Sequence, residues 1–220
     1  MSEQIKKPSK KKYFDNVSVG KRTKQVVHFV EQHDKAAMFE QIIKNIPNKQ
    51  TVVVTKSKRN ADALHSHLKT QGIQALTVHG NHRAVQLEEA TKAFNSSELN
   101  IIITTDMILK SLELTNIQLI VNYDLPIEYP EYFVRLDHVD EVGESILLVG
   151  PDDKSTLQII EMRMKMEIPE EEVEGFVATE FDAKNTQTKK DKKKKPRHRN
   201  KKKKTDTLKE DEQEETTQSE

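Results

Sequence analysis

Two groups of residues in this 220-residue chain have types and spacings that could do chemistry. One is a set of carboxylates, Asp137, Asp140, Glu141 and Glu144, which could hold a divalent cation; the other is the basic run KKKKPRHRNKKKK at 192–204, which could hold a polyanion. Carboxylates on a loop and short helix are ordinarily solvated, and this spacing implies no set of oxygen ligands, so no metal is expected there. His65 and His67 lie two apart on a predicted helix and point to different faces, while His79 and His82 have loop spacing only, so no zinc site is expected from them. The absence of Cys excludes disulfides and thiolate zinc sites outright. The basic run has the charge density for non-specific polyanion contact, with an affinity that drops steeply as salt rises. Its carriers are Lys192, Lys193, Lys194, Lys195, Arg197, Arg199, Lys201, Lys202, Lys203 and Lys204.

The net charge of zero hides an asymmetry. Residues 13–182 hold 17 basic and 27 acidic side chains, a balance of −10, whereas residues 1–12 carry five Lys against one Glu and residues 184–204 carry 13 basic residues against one Asp. Residues 205–220 revert to seven acids and one Lys, and this acidic end could fold back on the basic run and weaken its binding without abolishing it. An acidic body between two basic arms repels polyanions with the body and attracts them with the arms. Hydrophobic residues make up 34% of the chain and charged residues 33%, with no Trp, which points to a folded core with polar ends. The length allows one ordinary domain plus extra sequence. The opening MSEQIKKPSKKK lacks the apolar block of a signal peptide and no apolar run approaches a membrane span, so a cytoplasmic protein without membrane contact is expected.

The elements that must position these residues follow from periodicity. Apolar runs at 101–103, 117–121 and 146–149, rich in Ile and Val, suit strands covered on both faces. Earlier in the chain, 25–30 and 51–55 read as strands and 73–78 as a third. Asp34 stands as N-cap before a helix with Ala37, Met38, Ile42 and Ile46 inward, ended by Pro47. Residues 58–71 form the next helix, with Ala61, Leu64 and Leu68 on one face and Gly72 as its C-cap. Residues 83–94 follow with Leu87, Ala90 and Phe94 inward, and 151–165 closes the domain with Leu157, Ile160 and Met164. Strand and helix alternating through short connections predict a doubly wound parallel α/β domain. The predicted organisation is a basic arm at 1–23, the domain at 24–182, and a disordered tail at 183–220, basic over 184–204 and acidic over 205–220. That tail is too polar to offset the entropy of ordering.

The motifs VVVTKSK (52–58), VHGN (78–81), TTD (104–106), VNYDLP (121–126) and EYFVRLDHVDEVG (131–143), in this order, resemble the C-terminal RecA-like domain of DEAD-box RNA helicases. The ending EIPEEEVEGF (167–176) is similar to the close of that domain in the RhlE-like bacterial subgroup, where a basic tail is also common. The resemblance implies RNA as partner. It places Lys56, Ser57 and Lys58 in the motif that runs from its strand toward RNA, Gly80 and Asn81 in the HGN turn, and Thr105 and Asp106 at the start of motif V beside the RNA phosphates. Hydroxyls and backbone N–H groups at strand ends suit phosphate contacts.

The nucleotide half departs from the pattern. Where relatives read roughly TDIAARGLDI, this chain reads TDMILKSLEL, with Lys110 for the arginine, Ser111 for the glycine and Glu113 for the aspartate that reaches the ATP ribose. Where they read HRIGRTGR, it reads VRLDHVDE: Arg135 is retained, the two arginine-finger positions hold His138 and Glu141, and Asp137 and Asp140 replace glycines. The family's glutamine and arginine after HGN fall on Ala84 and Leu87. An arginine finger sets a permanent cation beside the γ-phosphate, so a carboxylate there turns stabilisation into repulsion. No G-x-x-x-x-G-K-S/T or DEAD box occurs, and Gly20-Lys21-Arg22 is no substitute because Asp15 holds the place of the first glycine. The expectation is therefore a non-catalytic, RNA-associated scaffold without a cofactor, ATP entering only if a separate partner domain completes the site. The alternatives are half of an ATP-dependent helicase completed in trans, and a protein-binding module that uses the former inter-domain cleft around 137–144 for a basic partner.

Overall fold

The computed structural model describes residues 16–140 and 142–179. The basic run at 192–204, the acidic end and Glu141 lie outside the described residues, as does most of the predicted basic arm. Six strands, β1 (Lys24–Phe29), β2 (Thr51–Thr55), β3 (Leu76–Val78), β4 (Ile101–Thr105), β5 (Leu119–Asn122) and β6 (Glu144–Val149), form one sheet in the order β1-β6-β5-β2-β4-β3. Every neighbouring pair is parallel. The predicted parallel α/β domain is thus the fold observed.

Successive side chains of a strand point to opposite faces, so each continuous apolar run feeds two cores. Val52 and Val54 of β2 face the side covered by α4 (Ala84–Asn95), α6 (Tyr129–Asp137) and α7 (Lys154–Met164), where Phe94, Tyr132, Leu136 and Ile160 are buried. Val53 faces the side covered by α2 (Lys35–Asn45) and α3 (Lys58–Thr70), with Met38, Phe39, Leu64 and Leu68. Because β2 lies between β5 and β4, the segments leaving these three strands converge at one edge. Among the described residues, no helix is long and apolar enough to cross a membrane.

Several local expectations are corrected. The predicted arm ends inside the folded domain: Asn16–Arg22 forms a helix, α1, that packs on α6 and α7 with Val19 buried. Its apolar signal is only two valines, too short to mark a helix by period. Asp34 is the N-cap residue of α2 as expected, but its side chain makes no cap bond; its carboxylate instead accepts hydrogen bonds from Thr179, 145 positions away. Ala37 is exposed and Ala36 packs inward in its place. The third strand shortens to Leu76–Val78. Helix α3 does end as expected, with Gly72 left-handed at φ 71 while Ile73 N–H reaches back to the Leu68 carbonyl at 3.0 Å.

Beyond α7 the chain returns along the outer edge of β1. Val27 N–H donates to the Pro169 carbonyl at 2.9 Å, and Glu171 N–H donates to the Val27 carbonyl at 3.1 Å. Gln41 and Asn45 of α2 then hold the Glu174 carbonyl at 3.2 and 2.9 Å. This strap blunts an edge that would otherwise invite strand pairing.

Gly143 sits in the turn before β6, where an added Cβ would collide with Val139 Cγ1 and lie 3.1 Å from the Ile117 carbonyl oxygen. Gly143→Ala should therefore lower stability by about 1–3 kcal/mol in urea unfolding. Gly80→Ala, which meets nothing within 4 Å, should change it by less than about 0.5 kcal/mol.

Candidate functional site

The convergent edge is built from the ends of β2, β4 and β5. After β2 the chain turns through Lys56, which is exposed, and Ser57, whose Oγ accepts from Asn60 N–H at 3.2 Å and so caps α3. Lys58 Nζ donates to Asn81 Oδ1 at 3.2 Å, which brings the segment after β2 together with the HGN turn after β3. Gly80 and Asn81 are exposed. In that turn His82 Nδ1 accepts from His79 N–H at 3.1 Å and His79 Nε2 lies 3.0 Å from Asp62, so both imidazoles serve the fold. Thr105 ends β4, half-buried, and Asp106 opens the short helix α5 (Asp106–Leu109). Lys56, Ser57, Lys58, Gly80, Asn81 and Thr105 thus share one edge.

The Asp106 carboxylate is engaged from within the domain. Arg135, 1% exposed, grips it with Nε to Oδ1 at 2.6 Å and Nη2 to Oδ2 at 2.8 Å. The third guanidinium nitrogen, Nη1, donates to Asn122 Oδ1 at 2.9 Å and to the Asp124 carbonyl at 2.8 Å. A two-pronged, charge-assisted pair of this kind is stronger than an ordinary neutral hydrogen bond, and here it ties α6 to the ends of β4 and β5.

A second buried network adjoins it. Lys35 is fully buried, and its Nζ donates to the Tyr123 carbonyl at 3.1 Å and to Asp153 at 3.2 Å, with Asp124 Oδ1 at 3.6 Å. The other oxygen of Asp124 accepts from Lys56 N–H at 2.9 Å and from Asn60 Nδ2 at 2.8 Å. Burial pushes the Tyr123 phenol well above the ordinary tyrosine range, with the Asp124 charge adding to the effect. Lys35, Asp124 and Asp153 were not among the sequence candidates. Asp124 sits in the motif VNYDLP and could have been singled out, whereas nothing in the pattern around Lys35 distinguishes it from a surface lysine.

The positions expected for nucleotide contact are distributed differently. Glu113 is exposed and only its carbonyl is engaged, by Asn95. Lys110 pairs with Glu131 at 2.6 Å on the surface. His138 caps the end of α6, half-buried, and burial pushes its imidazole below the ordinary histidine value, with Lys110 acting in the same direction and Asp137 against it. Asp137 lies 3.7 Å from Arg22, and Asp140 N–H donates to the Ile117 carbonyl at 3.1 Å. Among the described residues no three His, Asp or Glu side chains are placed to share a metal ion.

A six-stranded parallel sheet with this order, and with the chemistry-bearing segments gathered at the strand ends, is a RecA-like domain. The chain belongs to the helicase conserved C-terminal domain family, whose model matches residues 34–143, and its domain is of the kind found at the C-terminus of DEAD-box RNA helicases. Over 189 residues it is 26% identical to ATP-dependent RNA helicase SUB2-2 of Vanderwaltozyma polyspora, covering 80% of this chain and 42% of that protein. The chain therefore spans less than half the length of this relative. Among solved structures, a DEAD box protein from the hyperthermophile Methanococcus jannaschii superposes with a TM-score of 0.65 at 23% identity, over 70% of this chain and 43% of that one. Dbp5 of Saccharomyces cerevisiae, bound to RNA and ADP BeF3, matches equally well, with a TM-score of 0.65 at 18% identity over 70% of this chain and 42% of that one. At these identities the likeness is one of fold.

Removing Arg135 would strand the Asp106 carboxylate, so Arg135→Ala should cost about 3–5 kcal/mol in chemical denaturation. The displaced imidazole equilibrium of His138 gives a pH test. Its folded-state value lies below the 6.5 of a free imidazole, so the unfolded chain takes up the proton first as pH falls. The stability it contributes is complete above about pH 6.5 and declines as pH drops from there toward the folded value. His138→Gln should flatten that part of the stability–pH curve measured by thermal melting.

Proposed function

We propose that this protein is an RNA-associated relative of DEAD-box helicase C-terminal domains that does not hydrolyse ATP, serving as a scaffold or docking surface with its basic run at 192–204 supplying most of the RNA affinity. The observation that carries the reading is the fate of the cations near α6. Arg135 is committed to Asp106, Asn122 and the Asp124 carbonyl, and the first finger position is His138, an imidazole whose charged form burial disfavours. The second finger position is Glu141, a carboxylate by sequence. A finger contributes about 10³–10⁵ in rate where it has been measured, and neither residue supplies the fixed positive charge that this requires.

Lys56, Lys58, Gly80, Asn81 and Thr105 keep the types and the shared edge for phosphate contact, so the RNA-facing half of the domain is retained while its nucleotide half is lost. The ending EIPEEEVEGF fits descent from the RhlE-like subgroup. The body is acidic, with a balance of −10 over 13–182, so binding must be led by the basic segments. A docking role has a parallel in the fold: a Dbp5 C-terminal domain variant that matches this chain with a TM-score of 0.63 was solved bound to Gle1 and IP6.

The purified 220-residue chain should show no ATP turnover above background, with or without RNA. Deleting residues 184–220 should reduce RNA affinity at about 150 mM salt by at least tenfold in fluorescence anisotropy, since counterion release from several lysines is lost. Equal binding by the truncated and full chains would overturn the assignment of affinity to the tail. ATP turnover that appears on adding a separate N-terminal RecA-like domain would favour a helicase completed in trans.

A further inference from the structure

Asp62, Asp106 and Asp124 lie beside the edge built by β2, β4 and β5, and each is held by a donor from inside the domain. Asp106 is paired by Arg135, and Asp124 accepts from Lys56 N–H and Asn60 Nδ2, with Lys35 at 3.6 Å. Asp62, on α3, has its Oδ1 3.0 Å from His79 Nε2. The imidazole is 5% exposed and the Asp62 side chain 61% exposed, so the pair joins the buried turn after β3 to the surface of α3. His79 Nδ1 accepts from Asn81 N–H at 3.4 Å, which leaves the ring hydrogen on Nε2, where Asp62 accepts it. Asp62 has a second cation in reach by helical geometry. Lys58 stands four residues earlier on α3, and side chains at i and i+4 meet on one face of a helix. The two are nevertheless not paired. Lys58 Nζ donates to the neutral amide oxygen of Asn81 at 3.2 Å, and among the described residues it forms no ion pair.

We propose, resting on the RNA contact already proposed for this edge, that His79 is a positioning residue for it: by holding the Asp62 carboxylate, His79 prevents Asp62 from neutralising Lys58. A carboxylate beside the ammonium would cancel its charge toward a phosphate, whereas the amide oxygen of Asn81 leaves that charge in place. A hydrogen bond to a charged partner outweighs an exposed ion pair one helical turn apart, so the partner that Asp62 takes is the stable one. The imidazole thus acts on RNA through Lys58 and not by touching it. This division of partners also accounts for a carboxylate standing one turn from a phosphate-facing lysine: Asp62, like Asp106 and Asp124, is spent internally, and Lys56 and Lys58 keep their charge on an acidic body.

The test is the affinity of the 220-residue chain for a labelled oligouridine, measured by fluorescence anisotropy between about 0.05 and 0.25 M salt. Each phosphate neutralised on a single strand adds about 0.7 to the slope of log affinity against log salt. Lys58→Gln should lower the slope by about 0.7 and so sets the size of one lost contact. His79→Asn offers an amide oxygen near the place of Nδ1 but lacks the reach to Asp62. It should lower the slope equally and weaken binding about threefold at about 0.1 M salt. His79→Gln, whose amide nitrogen takes the place of Nε2, should bind as the unaltered chain does. In the double variant His79→Asn with Asp62→Asn the released side chain carries no charge, and slope and affinity should return to those of the unaltered chain. A turn merely deformed by the loss of His79 would not recover, and that result would overturn the proposal. Where thermal melting shows that a His79 variant has not folded, Asp62→Asn alone decides: affinity at least equal to that of the unaltered chain supports the proposal, and a loss of about threefold or more refutes it. If Lys58→Gln leaves the slope unchanged, RNA does not meet Lys58, and the reading of this edge fails together with the role of His79. If Lys58→Gln acts and the double variant does not recover, only the role of His79 is lost.

Discussion

The contact on which the rest of this structure depends is the grip of Arg135 on Asp106. A guanidinium that is 1% exposed has lost its water and must recover the equivalent from fixed acceptors, and it does so with two carboxylate oxygens, an amide oxygen and a carbonyl. Those acceptors come from α5, β5 and the turn after β5, while the donor comes from α6. The strand ends therefore cannot drift apart without exposing an unpaired charge in a dry environment. Asn122 extends the same lattice to β6 through Ser145 Oγ at 3.1 Å. Loops that converge on a parallel sheet's carboxyl edge are normally among its less constrained parts, and here polar pairing holds the segments after β4 and β5 in place.

Lys35 repeats the device one strand away. Its ammonium joins the Tyr123 carbonyl to the carboxylates of Asp124 and Asp153, and Asp124 passes the constraint to the start of α3 through Lys56 N–H and Asn60. Both buried cations are thus spent on internal carboxylates. On the functional reading proposed above, this separates two tasks that a single positive edge could otherwise perform together: holding the strand ends in register and stabilising charge on a bound nucleotide. The first task is retained here. For the second, the neighbouring positions offer a desolvated imidazole at His138 and the carboxylates of Asp137 and Asp140.

How much of this could be read from the residues depends on whether the signal was local. The strands around Val53, Ile102 and Val121 were legible because continuous β-branched runs have few other uses, and α3 and α7 because Leu64, Leu68, Ile160 and Met164 repeat at helical spacing. Helix α6 was not: Pro130 near its start and the alternation of Tyr132, Phe133 and Arg135 break the apolar stripe, since the buried arginine occupies a core position that the pattern reads as polar. Asp34 was legible as the N-cap position of α2 but not in what its side chain bonds. It has the residue type and place of an N-cap, but its carboxylate is satisfied by Thr179 at the far end of the strap, a partner that sequence proximity does not suggest. At the candidate site the motif positions could be enumerated, yet the pairing that engages the Asp106 carboxylate joins residues 29 apart.

The electrostatics of the whole chain then set how the domain can meet a polyanion. Its carboxylates outnumber its cations by ten over 13–182, and its two buried cations are neutralised internally, so the field around the body opposes the approach of nucleic acid beyond the few ångströms governed by Lys56 and Lys58. On the proposed reading, attraction is carried by residues 184–204, which hold 13 basic side chains. On the same reading, the basic residues would capture RNA without orienting it, whereas an edge bearing Gly80, Asn81 and Thr105 would orient a backbone without capturing it. Such a division of capture from orientation would make the affinity steeply salt-dependent, while the strand-end geometry held by Arg135 and Lys35 would stay indifferent to salt.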